Sequence, residues 1–244
     1  MTKIFQSEAW AKLNEHLNPV WIGNNLFFRT GGILYTKGDV TEDFKTKEKF
    51  LIQICKTKLP YFSRPNIDYV ADLTKPIDFP KWTRKMIRKA INSNITTKDE
   101  SIEEIRKFCS VLGVENNPDS YWNNLKELSH NLVAVKDNKI IAVIVYMVQD
   151  DEAYGILQHN LKEEGTATYL LIDNLFNILK QQGIKSVSFG DAANKGIAEF
   201  KKKFFEEVPC WDYTNDALRK LKWQLKKWGG EYEKFNKDSL VAAK

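Results

Sequence analysis

The stretch "EAYGILQHNLKEEGTATYLLIDNLFNILKQQGIKSVSFGDAANKGIAEFKKKF", residues 152–204, decides the fold. It opens on "EAYGILQH", which reads as a strand. "TATYLLIDNLFNILKQQG" at 166–183 is apolar on nearly every side at helical spacing, so it predicts a buried helix. "IKSVSFG" is the next strand and "KGIAEFKKKF" the next helix. Strands alternating with packed helices predict an α/β sheet.

The pattern extends in both directions. Upstream, "NLVAVKD" and "KIIAVIVYMVQ" are two strands joined by a tight turn at Asp137-Asn138. Before them lie the helices "SIEEIRKFCSVLG", where Ser101 and Glu104 have capping-box spacing, and "SYWNNLKELS". "NIT" at 94–96 is a short strand, and "FPKWTRKMIRKAI" at 79–91 is an amphipathic helix. "VPCWDY" at 208–213 is the last strand. From residue 92 the predicted order is strand, two helices, three strands, helix, strand, helix, strand. The first 80 residues are aromatic and punctuated by turns: "SEAWAKLNEHL" reads as a helix capped by Ser7, and "WIGNNLFFRTGGILYT" as a hairpin-like pair of strands. Pro60, Pro65, Pro76 and Pro80 break up residues 60–80.

Four stretches resemble the GNAT acyltransferase superfamily, in its Fem-type branch of nonribosomal peptidyltransferases. They are "FQSEAW" (5–10), "WTRKMIRKAINSNIT" (82–96), the central strand-helix-strand, and "GIAEFKKKF" (196–204), which is similar to the family's F-K-x-x-F helix. The resemblance implies a GNAT-like mixed sheet flanked by helices, with a shortened N-terminal GNAT-remnant lobe. It implies three parts: 1–91 as the abbreviated lobe, 92–216 as the acyltransferase core, and 217–244 as a basic amphipathic tail. Fem-type enzymes usually carry two full GNAT-like units, and here the first is short.

The resemblance also implies acyl transfer to an amine, which needs a deprotonated amine, a nearby carbonyl, and positive charge or N–H groups where the oxyanion grows. Asp191, just beyond a strand end, is placed to orient an acceptor ammonium and take its proton; the plain alternative is a turn cap. Lys201 matches the lysine that the family uses to stabilise the transferring carbonyl, with a solvated helical face as the alternative. His159 is a candidate general base and otherwise a structural histidine. Tyr154 is a core residue or a proton donor to the leaving group, and Asn160, next to His159, is a substrate-binding candidate. The cations of the 81–89 helix read mostly as a solvated face opposite Trp82 and Met86, with Arg84 and Arg88, four apart, as candidates for a nucleotide diphosphate.

Many GNAT enzymes hold the coenzyme A pyrophosphate with Q/R-x-x-G-x-G/A before the central helix. The matching residues here are "KEEGTA", so Lys162, Gly165, Thr166 and Ala167 are the cofactor-binding candidates, with Glu163 and Glu164 opposed to phosphate. The expected function is N-acyl transfer from acyl-CoA to the amine of a small anionic acceptor, a nucleotide-linked amino sugar. Two alternatives stand beside it: an aminoacyl-tRNA-dependent peptidyltransferase acting on a cell-wall precursor, and a non-catalytic binding module.

Bulk properties fit this reading. Of 244 residues 43% are hydrophobic and the net charge is only +5, enough for anionic small molecules or a transient RNA contact and too little for a dedicated nucleic-acid binder; no DNA partner is expected. Cys55, Cys109 and Cys210 are far apart and odd in number, which suits idle thiols. The three histidines are scattered, so no metal site is expected. "MTKIFQSEAW" has no continuous apolar stretch, so a cytoplasmic location is expected. In the tail, Leu218, Leu221, Leu225 and Trp228 share one face opposite basic residues, for packing onto the domain or, less favoured, for a membrane or partner contact.

Overall fold

The computed structural model describes residues 3–41, 44 and 46–224. Its strands are β1 (Pro19–Ile22), β2 (Asn25–Thr30), β3 (Ile33–Lys37), β4 (Phe50–Cys55), β5 (Phe62–Asp72), β6 (Thr96–Lys98), β7 (His130–Lys136), β8 (Lys139–Gln149), β9 (Glu152–Asn160), β10 (Ser186–Ser188) and β11 (Glu206–Thr214). The α-helices are α1 (Glu8–Leu13), α2 (Lys81–Asn92), α3 (Ile102–Val111), α4 (Asp119–Leu128), α5 (Thr166–Gln181) and α6 (Lys195–Lys201). Residues 217–224 are also helical. The order from β6 to β11 is the one expected from the sequence.

All these strands join one mixed sheet in the order β1-β2-β3-β4-β11-β5-β10-β9-β8-β7-β6. A single plan occurs twice. In the N-terminal lobe β1, β2 and β3 form an antiparallel meander and β4 lies parallel to β3. In the C-terminal lobe β7, β8 and β9 form the meander and β10 lies parallel to β9. The closing strands are exchanged. β5 pairs with β10 of the second lobe, β11 pairs with β4 of the first, and β5 and β11 pair with each other from Glu206↔Val70 to Thr214↔Phe62. A cut at residue 91 therefore leaves the last strand of each lobe in the other.

Local sequence explains the elements. Ser7 Oγ accepts the Trp10 N–H at 3.1 Å and Ser101 Oγ accepts the Glu104 N–H at 3.2 Å, so both serines cap helices. The capping box at Ser101 is only half made, because the Glu104 carboxylate turns to Lys107. Asp137 and Asn138, at φ 49 and 59, form the tight turn between β7 and β8. The 7–17 segment is not one helix: α1 ends at Asn14, whose Nδ2 donates to Trp10 O at 3.1 Å, and a 3-10 turn comes next. The aromatic hairpin is three strands rather than two, β1 to β3. Pro65 does not break β5, because it lies opposite Trp211 where β5 has β11 on one side and β10 reaches only residues 70–72.

The longest apolar run, on β8, is buried on both faces. Ala142, Ile144 and Tyr146 pack with α5 residues such as Leu171 and Phe176, whereas Val143, Val145 and Met147 pack with Ile105, Cys109 and Leu125 of α3 and α4. Burial on two sides is why the run reads as continuously apolar rather than alternating. The N-terminal segment wedges the lobes together. Phe5, 1% exposed, sits 4.5 Å from the Tyr154 ring of β9, and Gln6 bridges to Thr36 and to the Leu26 N–H.

The three cysteines are free and buried, and burial pushes Cys55 and Cys210 up to about 12. No helix among the described residues is long and apolar enough to cross a membrane. The 217–224 helix docks differently from expectation. Leu218 and Leu221 are 66% and 51% exposed, and contact is made by Trp223, which stacks on Phe62 and lies 4.6 Å from the Arg64 guanidinium. Leu225, Trp228 and the rest of the tail lie outside the described residues.

Candidate active site

β9 and β10 are paired only over Ser186↔Glu152, Val187↔Ala153 and Ser188↔Tyr154. Beyond that point β9 runs on to Asn160 while the chain leaving β10 turns away at Gly190, φ +63. The two parallel strands thus part, and a cleft of about 1030 Å³ opens at their carboxyl ends. Two glycines permit this. A Cβ on Gly155 would stand 2.8 Å from the Phe189 ring, and one on Gly190 would stand 2.9 Å from Tyr154 Oη.

Asp191 and Lys201 both line the cleft, together with Tyr154 and Asn160 of β9. Asp191 is half-buried, with Asn66 Nδ2 at 3.5 Å. Tyr154 is buried edge-on against Phe5 and Trp10, and burial holds its phenol above the ordinary range, with Asp68 and Asp191 adding to the effect. The phenol therefore keeps its proton at neutral pH. Asn160 Nδ2 is spent on the Leu161 carbonyl at 2.7 Å.

Lys201 is 8% exposed, at the end of α6, a helix capped by Asn194. Its ammonium donates to Phe189 O, to Gly190 O at 3.3 Å and to Asp191 O at 2.6 Å. Burial pulls its pKa down to about 8. Lys202 is solvated and pairs with Glu207, whereas Lys203 reaches Tyr169 Oη at 3.0 Å.

The α5 amino end forms the roof. Gly165 precedes it without a side-chain cap, and Gly165, Thr166 and Thr168 line the cleft. Thr168 Oγ1 is buried without a hydrogen-bond partner. An uncapped helix end with a spare hydroxyl favours an anion. Ala167 is in the core and Lys162 is not among the lining residues. Glu163 and Glu164 do face the cleft, and Glu164 is tied to Lys136 at 2.7 Å.

Besides Lys162 and Ala167, three sequence candidates are not brought to this place. His159 alternates away from the cleft lining, and burial lowers its pKa. Arg84 and Arg88 stand on the solvent side of α2, Arg84 pairing with Asp78 at 2.8 Å. The helix instead offers Met86, Lys89 and Ser93 to the cleft. Sequence reasoning missed Lys37, the last residue of β3, which lines the cleft from the other lobe. It also missed a polar track on β5. Asp68, fully buried, accepts from Ser188 Oγ at 2.6 Å and pairs with Lys56 at 3.2 Å. Asp212 accepts both Arg64 Nε and Nη2, at 2.9 and 2.7 Å, and Asn66 Nδ2 at 2.9 Å. The period-2 spacing of Arg64, Asn66 and Asp68 was the available signal.

No protein-family model matches the sequence, and no curated protein does. Solved structures match in fold. The C-terminal domain of a lysylphosphatidylglycerol synthetase from Agrobacterium fabrum is 15% identical with TM-score 0.66, covering 90% of this chain and 91% of that one. L-PGS from Bacillus licheniformis is 16% identical with TM-score 0.60, over 80% and 82%. FemX is 10% identical with TM-score 0.60, over 86% and 92%. The chain has a GNAT fold. Its two-lobed sheet is similar in fold to FemX.

Proposed function

We propose that this chain is an acyltransferase that moves an acyl or aminoacyl group from an activated carrier to an amine bound in the β9/β10 cleft. The observation that carries the reading is the meeting, in one cleft, of the uncapped α5 amino end and the Asp191 carboxylate. The helix end suits the anionic carrier and the carboxylate suits the acceptor ammonium. The fold's likeness to FemX and to lysylphosphatidylglycerol synthetases, the latter named for an aminoacylated product, supports the same class.

In this reading Asp191 takes a proton from the acceptor ammonium, and the freed amine attacks the carrier's carbonyl carbon. The C–N bond forms and the bond to the carrier breaks. The protonated Tyr154 phenol donates its proton to the leaving thiolate or alkoxide and takes up the second proton that the attacking nitrogen sheds as the amide forms. The favoured donor is an acyl-CoA. The favoured acceptor is a small anion such as a nucleotide-linked amino sugar, with Lys37 and Lys89 on the cleft wall to meet its phosphates.

A second reading takes charged tRNA as donor. It is favoured by Glu163 and Glu164, which face the cleft beside the helix end and oppose a compact diphosphate there. Radiolabelled acyl-CoA and aminoacyl-tRNA, each offered with a panel of amino sugars, nucleotide sugars and amino-terminal peptides, separate the readings. Transfer from either donor, lowered at least ten-fold in Asp191→Asn with unchanged folding, is the expected result. No transfer and no binding of either donor would leave the binding-module reading in its place.

A further inference from the structure

We infer that Lys201 is a positioning residue: its ammonium builds the loop that carries Asp191, and the transferring carbonyl is left to other groups. The consequence for turnover rests on the transfer reading above; the clamp itself does not.

An ammonium has three N–H donors and no acceptor. All three directions are taken, by the consecutive carbonyls of Phe189, Gly190 and Asp191. Three successive carbonyls face one point because the chain reverses at Gly190 in the left-handed region. The bonds to the Phe189 and Gly190 carbonyls are buried and the ammonium lies 5.5 Å from the Tyr69 ring, and buried carbonyls without donors are costly. The other side of the loop is held as well. Gly190 N–H donates to Ser188 Oγ at 3.1 Å, and that hydroxyl donates to Asp68. Phe189 N–H and Gly190 O bond to the Tyr69 backbone at 2.9 and 3.1 Å. Clamped on both faces, the loop presents Asp191 to the cleft in one orientation. A lysine that met the substrate carbonyl would first have to release one of its three oxygens.

The charged groups facing the ammonium are Asp191 on the loop and Asp68 on β5, which favour its charge, and Lys37 at the end of β3, which opposes it. Burial outweighs the two carboxylates, and the pKa falls to about 8. Above that pH the neutral amine keeps two donors and frees one carbonyl, so the loop loosens. Global stability moves the other way. The folded pKa lies below the unfolded one, so the unfolded chain binds more protons between about pH 8 and 10.5, and this group's contribution rises across that window.

Hydrogen exchange of the Phe189 and Gly190 amides, compared in wild type and Lys201→Met, tests the clamp. Expected is at least ten-fold faster exchange at these two amides in the variant, with Leu171 to Leu175 of α5 unchanged, alongside lost transfer. In wild type, protection at the same amides, corrected for the intrinsic rate, falls from pH 7 to pH 9; in the variant it is flat. Unchanged exchange in a folded Lys201→Met that has lost transfer overturns the inference and gives the lysine a direct role on the substrate. Should Lys201→Met not fold, the wild-type pH series decides: constant protection from pH 7 to 9 overturns it. Exchange reads the same whether or not either donor is used, so a failed transfer assay leaves this result standing.

Discussion

The two lobes share one strand plan and end differently. In the C-terminal lobe the crossover between the parallel strands is α5, and β9 and β10 part after three paired residues. In the N-terminal lobe residues 38–49 make the crossover without a helix among the described residues, and β3 stays paired with β4 to its last residue, Lys37↔Gln53. The N-terminal strand ends are then sewn together. Asp39 Oδ1 accepts the Lys56 and Thr57 N–H groups, both at 2.6 Å, and the Thr57 hydroxyl at 3.1 Å. Gly155 and Gly190 let β9 and β10 part, and the α5 amino end brings its own N–H groups to the gap; the 38–49 connection has no helix end to offer among the described residues. One lobe therefore has a cleft, and the other closes and lends Lys37 to it.

The largest effect concerns the exchanged strands. A chain ending at residue 205 lacks β11, and with it the pairing to both β4 and β5 and the Asp212 carboxylate that neutralises Arg64. Loss of cooperative folding of the whole protein is expected, monitored by circular dichroism on heating. A retained, sharply melting C-terminal lobe would show that the lobes are independent and that the exchange is only a matter of contact.

A pair of substitutions next sharpens the contrast between a sealed end and an open one. Asp39→Ala removes three donors' shared acceptor and should cost about 2 kcal/mol, read from the denaturant midpoint, with little loss of transfer by folded protein. Asp191→Asn should do the reverse, with turnover lowered at least ten-fold and stability changed by less than about 0.5 kcal/mol. Equal effects on both quantities would remove the distinction between the two ends.

Gly155→Ala tests how the cleft is kept open. The new methyl would sit 2.8 Å from the Phe189 ring, which is itself packed on Phe205 and has little room to move. Overpacking of this kind costs about 1–3 kcal/mol, and the displaced ring would enter the cleft. Lower stability with weaker donor binding is expected; a neutral outcome would mean that Phe189 is not the hinge-side wall.

Legibility in the sequence divides along the same line. The C-terminal lobe was readable because its helices are long and its apolar runs strong: α5 and β8 announce themselves, and Gly190-Asp191 falls at a strand end that pattern alone locates. The N-terminal lobe was not. Its prolines masked β5, whose Pro65 is tolerated only because one edge of the strand is free, a fact of topology. Of the polar track, the period-2 spacing of Arg64, Asn66 and Asp68 marks only the β5 half; Asp212 comes from a strand over 140 residues further on, and no local spacing reveals that it joins them. Arg84 and Arg88 were drawn to the site by their charge, yet the helix turns its Met86 and Lys89 side inward. Lys201 was found through its motif, but only the carbonyls around it show how its donors are used.

The smallest expected effect lies in the turns of the two meanders. In the N-terminal meander the β2/β3 turn is Gly31-Gly32, at φ 54 and 73, and in the C-terminal one the β7/β8 turn is Asp137-Asn138, at φ 49 and 59. Both are two-residue turns with positive φ, but the first is made of the residue for which that region is free and the second of residues that tolerate it. Asn138→Gly relieves the backbone and should stabilise the protein by about 0.5 kcal/mol, while the gain in unfolded-chain freedom works against it. Gly32→Ala adds a side chain in the left-handed region and should destabilise by about 1 kcal/mol, although nothing lies within 4 Å of its Cβ position. Opposite signs in the two denaturant midpoints would show that backbone conformation, not contact, sets the difference. A destabilised Asn138→Gly would mean that the Asn138 side chain does more for the C-terminal turn than its backbone costs.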